Sequence, residues 1–247
     1  MSQARRYLLT GASSGIGEAL ARELASRGYD LALAARREDS LQQLAAELTA
    51  SFGCKAVVLP LDVTDYAACQ NAIGLARQAL GGLDGIIANA GIGLNGKAGS
   101  GRFERYRQTI ETNLLGAIAC LDAATELFRE QGHGHLVAIA SVAGKRGLPA
   151  TAGYSASKAG LISHMESLAL ELHRSPVKTT LLLPGYIDTP INQDAGSRPF
   201  LIDVERGARL IAGHIDAHTR SAYVPGWPWA LIGRLLPLLP TSLLARF

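Results

Sequence analysis

Tyr154 and Lys158 are the pair of residues in this sequence whose types and spacing best suit proton transfer. If both lie on a helix, they are one turn apart on the same face, so that an ammonium group sits beside a phenol. A free phenol titrates near about pH 10, and a neighbouring positive charge lowers its pKa. Tyr154 is therefore a candidate general acid or base. The same spacing also occurs on ordinary amphipathic helices, so the interpretation depends on two further polar residues, Ser141 and Asn113.

A glycine-rich loop lies near the amino terminus, between a short apolar run, Arg6 to Thr10, and a helical pattern that includes Leu20 and Leu24. This order predicts a strand, a loop and a helix. Glycines let the backbone approach a pyrophosphate, and the free N–H groups of a helix start favour its negative charge. The spacing differs from the usual G-x-G-x-x-G, and a simple tight turn is the alternative. The candidate binding residues of this loop are Gly11, Ser13, Ser14, Gly15, Ile16 and Gly17.

The second predicted strand, Asp30 to Ala35, is followed by Arg36 and Arg37. A site selective for NAD usually has an acidic residue here, which binds the ribose 2′-hydroxyl. An arginine can instead pair with the 2′-phosphate of NADP, a charge-assisted contact worth about 1.5 to 3 kcal/mol. We therefore expect NADP as the cofactor in preference to NAD. For Arg37, a solvated position before the next helix is the alternative.

The third predicted strand, Lys55 to Leu61, leads into Asp62 and Val63. Asp62 is placed to accept a hydrogen bond from an adenine amino group. It could equally cap the helix predicted over Tyr66 to Leu80. Both interpretations stay open at this point.

Three further strands are predicted to end in small, polar or turn-forming residues. The run Leu83 to Ala88 leads into Asn89, Ala90 and Gly91, where small side chains would let a ribose lie against the backbone. The strand His135 to Ala140 delivers Ser141 at its end. The strand Val177 to Leu183 runs into a rigid turn, Pro184 to Pro190.

Strands alternate with helices throughout the chain, which predicts an α/β fold: a Rossmann-like, doubly wound parallel sheet of seven strands with helices on both faces. Such a sheet collects its ligand site at the carboxyl ends of its strands. We expect one domain over residues 1–226 that contains the whole site. Residues 227–247 form an apolar tail, which we expect to pack on the same domain, a neighbouring subunit or a membrane surface.

Composition and charge narrow the functional classes. The chain of 247 residues is 48% hydrophobic and 18% charged, as expected for a compact globular protein. Its formal net charge of +3 comes from dispersed residues without a basic run, which argues against nucleic-acid binding. Three cysteines without a C-x-x-C spacing predict reduced thiols, and we expect no metal site. With no readable signal peptide at its start, the protein is expected to be cytoplasmic.

Taken in order, these motifs resemble those of the short-chain dehydrogenase/reductase superfamily in its single-domain form. The resemblance runs from Thr10–Gly17 through Asn89–Gly91, Asn113, Ser141 and the Tyr154-x-x-x-Lys158 pair to Pro184–Pro190, and so covers most of the chain. Each motif is modest on its own, and their order and spacing carry the resemblance. One departure is Ala88, where the family often has a second asparagine.

The resemblance implies an NADP-dependent oxidoreductase that transfers a hydride between nicotinamide and the carbonyl/alcohol pair of a lipophilic substrate. Tyr154 would be the general acid, and Ser141 would hydrogen-bond the substrate oxygen. Lys158 would bind the nicotinamide ribose and lower the Tyr154 pKa, and the Asn113 backbone carbonyl would hold a water that links Lys158 to solvent. The remaining implied cofactor contacts are Asp62, Val63, Asn89, Ala90, Gly91, Tyr154, Lys158, Pro184, Gly185, Ile187 and Thr189.

Two other functions stay open, and so does the assembly. A 3-oxoacyl thioester reductase of lipid synthesis would need a basic patch for a carrier-borne phosphopantetheine, and the candidates are Arg102, Arg105 and Arg107. A scaffold that binds NADPH without turnover would not need the catalytic set. By resemblance, the helices Phe103 to Glu130 and Tyr154 to Arg174 would pair about a two-fold axis in a homodimer or homotetramer.

The apolar tail, Trp227 to Phe247, has only Arg234 and Arg246 as charged residues. Pro237 and Pro240 interrupt it, so we do not expect it to span a bilayer. Two predictions remain. The tail either packs across a subunit boundary or the substrate entrance, or it lies in a membrane interface with tryptophan at the level of the headgroups. A peripheral contact would be with the inner face of a membrane.

Overall fold

The computed structural model describes residues 5–94, 96–193 and 197–244. Within these ranges seven strands are formed: β1 (Arg5–Thr10), β2 (Tyr29–Ala35), β3 (Ala56–Pro60), β4 (Gly85–Ala88), β5 (His135–Ile139), β6 (Lys178–Pro184) and β7 (Ser221–Val224). They build one parallel sheet in the order β3-β2-β1-β4-β5-β6-β7. The strand order reverses between β1 and β4, where sheets of this kind bind their ligands.

Helices connect the strands. The α-helices are α1 (Gly15–Ser26), α2 (Glu38–Phe52), α3 (Tyr66–Leu80), α4 (Phe103–Ile110), α5 (Gly116–Gln131), α6 (Ala152–Glu171), α7 (Val204–Asp216), α8 (Trp229–Leu235) and α9 (Thr241–Leu244). A π-helical turn, Glu111–Leu115, joins α4 to α5, and short 3-10 turns lie at Val142–Gly144, Pro190–Asn192 and Leu236–Leu238.

Two apolar layers hold the helices to the sheet. Successive side chains of a strand point to opposite faces, and on β1 Leu8 packs into one layer and Leu9 into the other. The first layer is shared with α3, α5 and α6, and the second with α1, α2 and α7. The central strands are therefore buried on both faces, as expected for a parallel sheet. The predicted doubly wound fold is confirmed.

Two of the predicted helices can be compared closely with those observed. The helix predicted over Phe103 to Glu130, with an interruption near Asn113 to Gly116, is divided there by the π-helical turn, which contains Asn113, so this prediction is confirmed. The helix expected to reach Arg174 ends at Glu171. Pro176 disfavours helical backbone at the residue before it, and the chain turns there through a bond from the Ser175 amide to the Leu172 carbonyl.

The described part of the tail packs one of its faces on the domain. Trp229, Leu236 and Leu244 are buried in the layer shared with α3, α5 and α6. Gly233 lies against Tyr223 of β7, where a Cβ would overlap the ring. In the part of the chain that the structure describes, no helix combines the length and apolar character that a bilayer span requires. Arg246 lies outside the described residues.

Candidate active site

Ser141, Tyr154 and Lys158 meet at the carboxyl end of β5. Ser141 follows this strand and opens the 3-10 turn, where its Oγ accepts a bond from the Ala143 amide at 3.1 Å. Tyr154 and Lys158 lie in the first turns of α6, one turn apart as predicted from their spacing. The Lys158 Nζ donates to the carbonyl of Ile139, the last residue of β5, at 2.9 Å. The fold thus brings the three side chains together.

Tyr154 is held protonated at neutral pH. Burial raises the pKa of its phenol, and Tyr186 nearby raises it further, while a hydrogen bond with Ser141 favours the ionised form and opposes the shift. A phenol in this state is a proton donor rather than a proton acceptor. The Ser141 hydroxyl lies close enough to influence this phenol, so both groups could face one substrate oxygen.

Lys158 is 4% exposed, and burial lowers the pKa of its amine to about 8. The amine lies 5.9 Å from the centre of the Tyr154 ring. The predicted lowering of the Tyr154 pKa by Lys158 does not hold in this structure. Burial has the largest effect on the pKa of the phenol and raises it, and the Lys158 amine bonds instead to the Ile139 carbonyl. A buried lysine that titrates near neutrality is typical of functional sites.

Asn113 acts through its side chain in this structure. Its Oδ1 accepts from the Ile92 amide at 2.7 Å and its Nδ2 donates to the Ile92 carbonyl at 2.8 Å. A weaker bond of 3.3 Å joins Nδ2 to the Ser157 hydroxyl on α6. These bonds fix the loop after β4 to the helix layer, in addition to the backbone role that the resemblance implies for Asn113. π-helical turns are rare and concentrate at functional sites, which fits the position of Asn113.

The glycine loop leaves peptide N–H groups open at the start of α1. Ser14 is the N-cap residue, but its side chain makes no capping bond. Within the described ranges, the amides of Ile16 and Gly17 have no hydrogen-bond acceptor. Free N–H groups at a helix start form an anion site, and α1 is long enough to add its dipole. The loop therefore suits a phosphate group.

Thr10 and Asn89 hold the glycine loop against the end of β4. The Thr10 Oγ1 accepts from the amides of Asn89 and Ala90, both at 3.1 Å. The Asn89 Nδ2 donates to the Thr10 carbonyl at 3.0 Å and reaches that of Gly11 at 3.4 Å. Gly11 has a φ of 69°, and a Cβ there would lie 2.8 Å from the Ala90 Cα. Only glycine therefore fits at this position.

The predicted adenosine end contains Arg36, Arg37 and Asp62. The Arg37 guanidinium bonds to the carbonyl and hydroxyl of Ser13, at 3.0 and 3.1 Å, and so stabilises the glycine loop. The Arg36 side chain is 70% exposed and lies 4.0 Å from the Asp62 carboxylate. An arginine that reaches into solvent beside the loop is available to a phosphate ligand.

Asp62 does not cap the following helix. Its Oδ1 accepts from the amide and hydroxyl of Thr64, at 3.0 and 2.9 Å. The N-cap of α3 is Asp65, which accepts from the Ala68 amide at 3.0 Å. The capping alternative for Asp62 is therefore wrong, because the N-cap lies three residues later.

Several predicted cofactor residues have side chains that point away from the sheet edge. Val63 and Ile187 are buried in the two apolar layers, so a ligand could meet only their backbone atoms. Thr189 is buried, and its hydroxyl donates to the Ile187 carbonyl at 3.2 Å. Gly91 lies at the centre of the site, where a Cβ would be 3.6 Å from the Lys158 Nζ.

The turn after β6 lies between Ser141 and an aromatic wall formed by Tyr186, Phe200 and Trp229. The Ser141 Oγ lies 3.5 Å from the Pro184 carbonyl, and a Cβ on Gly185 would overlap the indole of Trp229. Trp229 makes edge contacts with Tyr186 and Phe200, at centroid distances of 5.8 and 6.1 Å.

The sequence did not predict the site roles of Thr10, Tyr186 and Phe200, and for Trp229 it predicted only, as one alternative, that the tail packs across the substrate entrance. Thr10 and Tyr186 lie within the motifs already recognised, so a polar or aromatic side chain at a strand end was the available signal. Phe200 carried no such signal, because only the fold brings it to Trp229. Among the residues that the structure describes, no cluster of three or more His, Cys, Asp or Glu could hold a metal ion.

Comparison with known proteins agrees with this geometry. The family model described as short chain dehydrogenase matches residues 5–199. The chain belongs to the short-chain dehydrogenase family. This family consists of oxidoreductases, and the sequence resemblance that predicted it is confirmed.

Relatives of this short-chain dehydrogenase extend over nearly its whole length. An uncharacterized oxidoreductase of Mycobacterium tuberculosis is 41% identical over 98% of this chain and 97% of its own. An uncharacterized oxidoreductase of Myxococcus xanthus is 38% identical over 97% of this chain and 94% of its own. The tail is therefore included in the similarity.

Solved structures share the fold. An alcohol dehydrogenase from the archaeon Thermococcus sibiricus, complexed with 5-hydroxy-NADP, is 27% identical, with a TM-score of 0.81 over 90% of this chain and 96% of its own. Levodione reductase is 26% identical, with a TM-score of 0.83 over 92% of this chain and 98% of its own.

Proposed function

We propose that this short-chain dehydrogenase transfers a hydride between NADP and the carbonyl/alcohol pair of a lipophilic substrate. One observation carries the proposal: the Tyr154 phenol, kept protonated by burial, lies near Ser141 at the edge of the sheet where the glycine loop opens. A proton donor and a second hydrogen-bond donor beside a dinucleotide site suit carbonyl reduction. A scaffold without turnover would not require this pair.

Each catalytic side chain has a distinct task in this proposal. A bound nicotinamide supplies the hydride chemistry. Tyr154 donates its proton to the substrate oxygen, and Ser141 hydrogen-bonds the same oxygen, so that both stabilise the charge that develops there. Lys158 has three N–H donors and uses one on the Ile139 carbonyl, which leaves donors for ribose hydroxyls.

The preference for NADP is proposed from Arg36. An exposed guanidinium follows β2, where NAD-selective sites usually have a carboxylate, and Arg37 fixes the adjacent loop through Ser13. The Asp62 carboxylate is bonded to the Thr64 hydroxyl and lies 4.0 Å from the Arg36 guanidinium. At that distance it makes no close contact with the arginine, so Asp62 can face an adenine while Arg36 binds a phosphate. The ligand bound in the Thermococcus sibiricus alcohol dehydrogenase, 5-hydroxy-NADP, is also an NADP derivative.

The lipophilic substrate is proposed from the aromatic wall. Tyr186 influences the titration of Tyr154, so its phenol lies near the reacting group. Phe200 and Trp229 continue the wall outward from Tyr186. A carbonyl compound with an aromatic or extended apolar group would bury that group here.

The alternative function, a 3-oxoacyl thioester reductase, is less favoured because an arginine of its candidate basic patch is already ion-paired. Arg107 is paired with Glu104 at 2.6 Å and with Glu111 on the same helix. Its charge is therefore largely compensated before any phosphopantetheine phosphate arrives. This pairing favours a free carbonyl compound as the substrate.

A spectrophotometric panel tests the proposed function. Ketones, aldehydes, alcohols and one 3-oxoacyl thioester would be assayed by nicotinamide absorbance with NADPH and with NADH. We expect turnover of apolar carbonyl compounds and tighter binding of NADPH, and Arg36→Ala should narrow that preference by about tenfold or more. NADPH binding without turnover of any compound would support the scaffold, and an NADH preference would contradict the role of Arg36.

We also propose a homodimer or homotetramer that forms through α4, α5 and α6, in the cytoplasm. The apolar side chains Phe103, Leu115 and Leu170 are exposed on these helices and on the π-helical turn between them. The three cysteines are buried free thiols. Light scattering at micromolar concentration should give a dimer or tetramer mass, and a monomer mass would contradict the assembly.

A further inference from the structure

The tail presents an apolar surface to solvent on the side opposite its buried face. We call the five side chains Trp227, Leu231, Leu235, Leu238 and Leu243 the tail surface; they are 77%, 48%, 47%, 77% and 41% exposed. Leu231, Leu235 and Leu238 recur at intervals of four and three residues along α8 and the following 3-10 turn, so these three form a stripe, and Trp227 lies just before it in the chain. Their neighbours Trp229 and Leu236 anchor the segment in the core. The segment is therefore both held in place and left apolar outside.

The charge of the carboxyl-terminal segment has one sign. The chain has 24 Lys and Arg and 21 Asp and Glu, and the sequence after Asp216 contains Arg220, Arg234 and Arg246 without any acidic residue. The residues before it are thus balanced, with 21 of each sign, and the whole formal net charge of +3 belongs to this segment. Arg234 is exposed and stands on α8 between Leu231 and Leu235. An apolar stripe beside an uncompensated arginine complements an anionic lipid surface.

We propose that the tail surface docks on a bilayer that contains anionic lipids. The leucines enter the boundary between headgroups and acyl chains, Trp227 lies at the level of the headgroups, and Arg234 pairs with lipid phosphate. The segment docks without crossing, because its helices are short and interrupted by prolines. The buried face keeps the stripe in a fixed orientation, so the segment needs no folding transition on binding.

A second copy of the chain is a poorer occupant of this surface. In a two-fold contact the same patch is present on both sides, so Arg234 would meet a segment that contains arginines and no carboxylate. A stable interface also buries about 800 Å² on each partner, with charges depleted from its centre. The stripe is short, and Arg234 lies within it.

Docking would place the site beside the lipid, a consequence that rests on the proposed function. Trp229 belongs to both the tail and the aromatic wall, because it lies on α8 and contacts Tyr186 and Phe200. Phe200 and Leu201 are themselves exposed next to that wall. A lipophilic carbonyl compound dissolved in the bilayer would then reach the site without crossing water. The docking itself does not depend on catalysis.

Vesicle flotation of the full chain tests the docking. The probes are phosphatidylcholine vesicles with and without phosphatidylglycerol. The parent protein should float with the anionic vesicles, and Leu238→Asp should lower its partition by about tenfold or more, because a charge replaces an inserted apolar side chain. Arg234→Gln should lower partition to anionic vesicles by about fivefold and leave partition to neutral vesicles unchanged.

Leu75→Asp is the matched control, since Leu75 on α3 is 52% exposed and lies outside the tail. It should float like the parent. Trp227→Ser repeats the test if Leu238→Asp does not keep the parent circular dichroism. The proposal would be overturned if the parent protein did not bind the anionic vesicles. It would also be overturned if Leu238→Asp and Trp227→Ser floated as well as the parent. A lower mass of Leu238→Asp in light scattering would overturn it too, because it would make the surface a contact between copies. If the protein turns over substrate with NADPH but does not float, the docking proposal is overturned and the proposed function stands.

Discussion

The amino ends of the parallel strands form one side of the sheet, the amino edge, and their carboxyl ends form the opposite side, the carboxyl edge. Both contain buried polar residues, but they differ in how the hydrogen bonds of those residues are satisfied. At the amino edge, His135 lies between the Tyr7 hydroxyl, at 2.9 Å, and the Thr180 hydroxyl, at 2.8 Å. At the carboxyl edge, buried Lys158 bonds to one backbone carbonyl. The amino edge is closed by its own side chains, whereas the carboxyl edge keeps donors that protein atoms leave unused.

Asp216 extends this comparison. At the amino edge its carboxylate accepts from the Tyr29 hydroxyl at 2.7 Å and from Arg27 at 2.6 Å, and it also pairs with Arg5. These bonds tie β1 and β2 to the end of α1 and to α7. Buried polar groups with full sets of partners stabilise and specify a fold, while those with unused donors cost stability and are retained at sites of chemistry.

The largest expected effect separates the edges by function. Tyr154→Phe removes the proton donor of the carboxyl edge, so turnover should fall by about 10²- to 10⁴-fold while NADPH affinity stays close to that of the parent. Initial rates and cofactor titrations measure the two quantities. Tyr7→Phe, which removes a buried phenol from the amino edge, is the matched control and should keep its turnover. Substantial activity of Tyr154→Phe would contradict the proposed role.

Lys158→Met should make the protein more stable while it loses activity. Burial lowers the Lys158 pKa from 10.5 to about 8, so charging this amine in the folded protein costs on the order of 3 kcal/mol at neutral pH. Loss of the bond to the Ile139 carbonyl offsets about 1 kcal/mol of the gain. A net increase of about 2 kcal/mol in the free energy of unfolding at pH 7 is therefore expected in urea titrations.

The pH dependence of this gain has a definite sign. The unfolded chain binds more protons than the folded protein between about pH 8 and 10.5, so the cost of burying Lys158 is fully present below pH 8 and disappears as pH rises through that window. The advantage of Lys158→Met should shrink accordingly. Lys55→Met, at an exposed position, should show no such trend. A pH-independent advantage would mean that burial of the charge is not its cause.

The contrast between the edges also limits what could be predicted from sequence. Strand alternation and the motif order were enough for the fold and for the positions of Ser141, Tyr154 and Lys158, because strand ends meet at one edge of a parallel sheet. The bond partner of Lys158 and the clamp of Asn113 on Ile92 depend on a π-helical turn and on tertiary packing. No local pattern in the sequence encodes such contacts. The same holds for Trp229, which reaches the site from the end of the chain.

At the amino edge, stability should depend on acid pH through His135. Burial lowers the pKa of this imidazole from 6.5 to about 3, so the folded protein keeps it neutral while the unfolded chain is protonated below about pH 6.5. Stability is therefore lost as pH falls from about 6.5 toward 3, by about 2 kcal/mol at pH 5. His135→Gln, which keeps hydrogen-bonding atoms without this titration, should reduce the loss between pH 7 and pH 5. His173→Gln, at an exposed position, should lose as much as the parent.

A smaller effect is expected at the ion pairs around Asp216. Asp216→Asn removes the charge from a half-buried carboxylate whose pKa is lowered by the Tyr29 hydrogen bond and by Arg27 and Arg5 against the opposing effect of burial. A folded pKa below the unfolded one means that the stabilisation is present above about pH 4 and is lost as pH falls through the folded pKa. At pH 7 the variant should lose about 1 kcal/mol in urea unfolding, because solvent partly screens these pairs.

Glu104→Gln breaks the exposed pair with Arg107 and should leave the free energy of unfolding nearly unchanged, because solvent screens exposed ion pairs. Neither variant touches the carboxyl edge, so both should keep the parent turnover. If Asp216→Asn lowered turnover at unchanged stability, the amino edge would influence catalysis directly and the division of labour between the edges would be wrong. If it cost no more than Glu104→Gln, the bonds around Asp216 would not be what holds that edge closed, and His135 with its two hydroxyl partners would be left as the source of its stability.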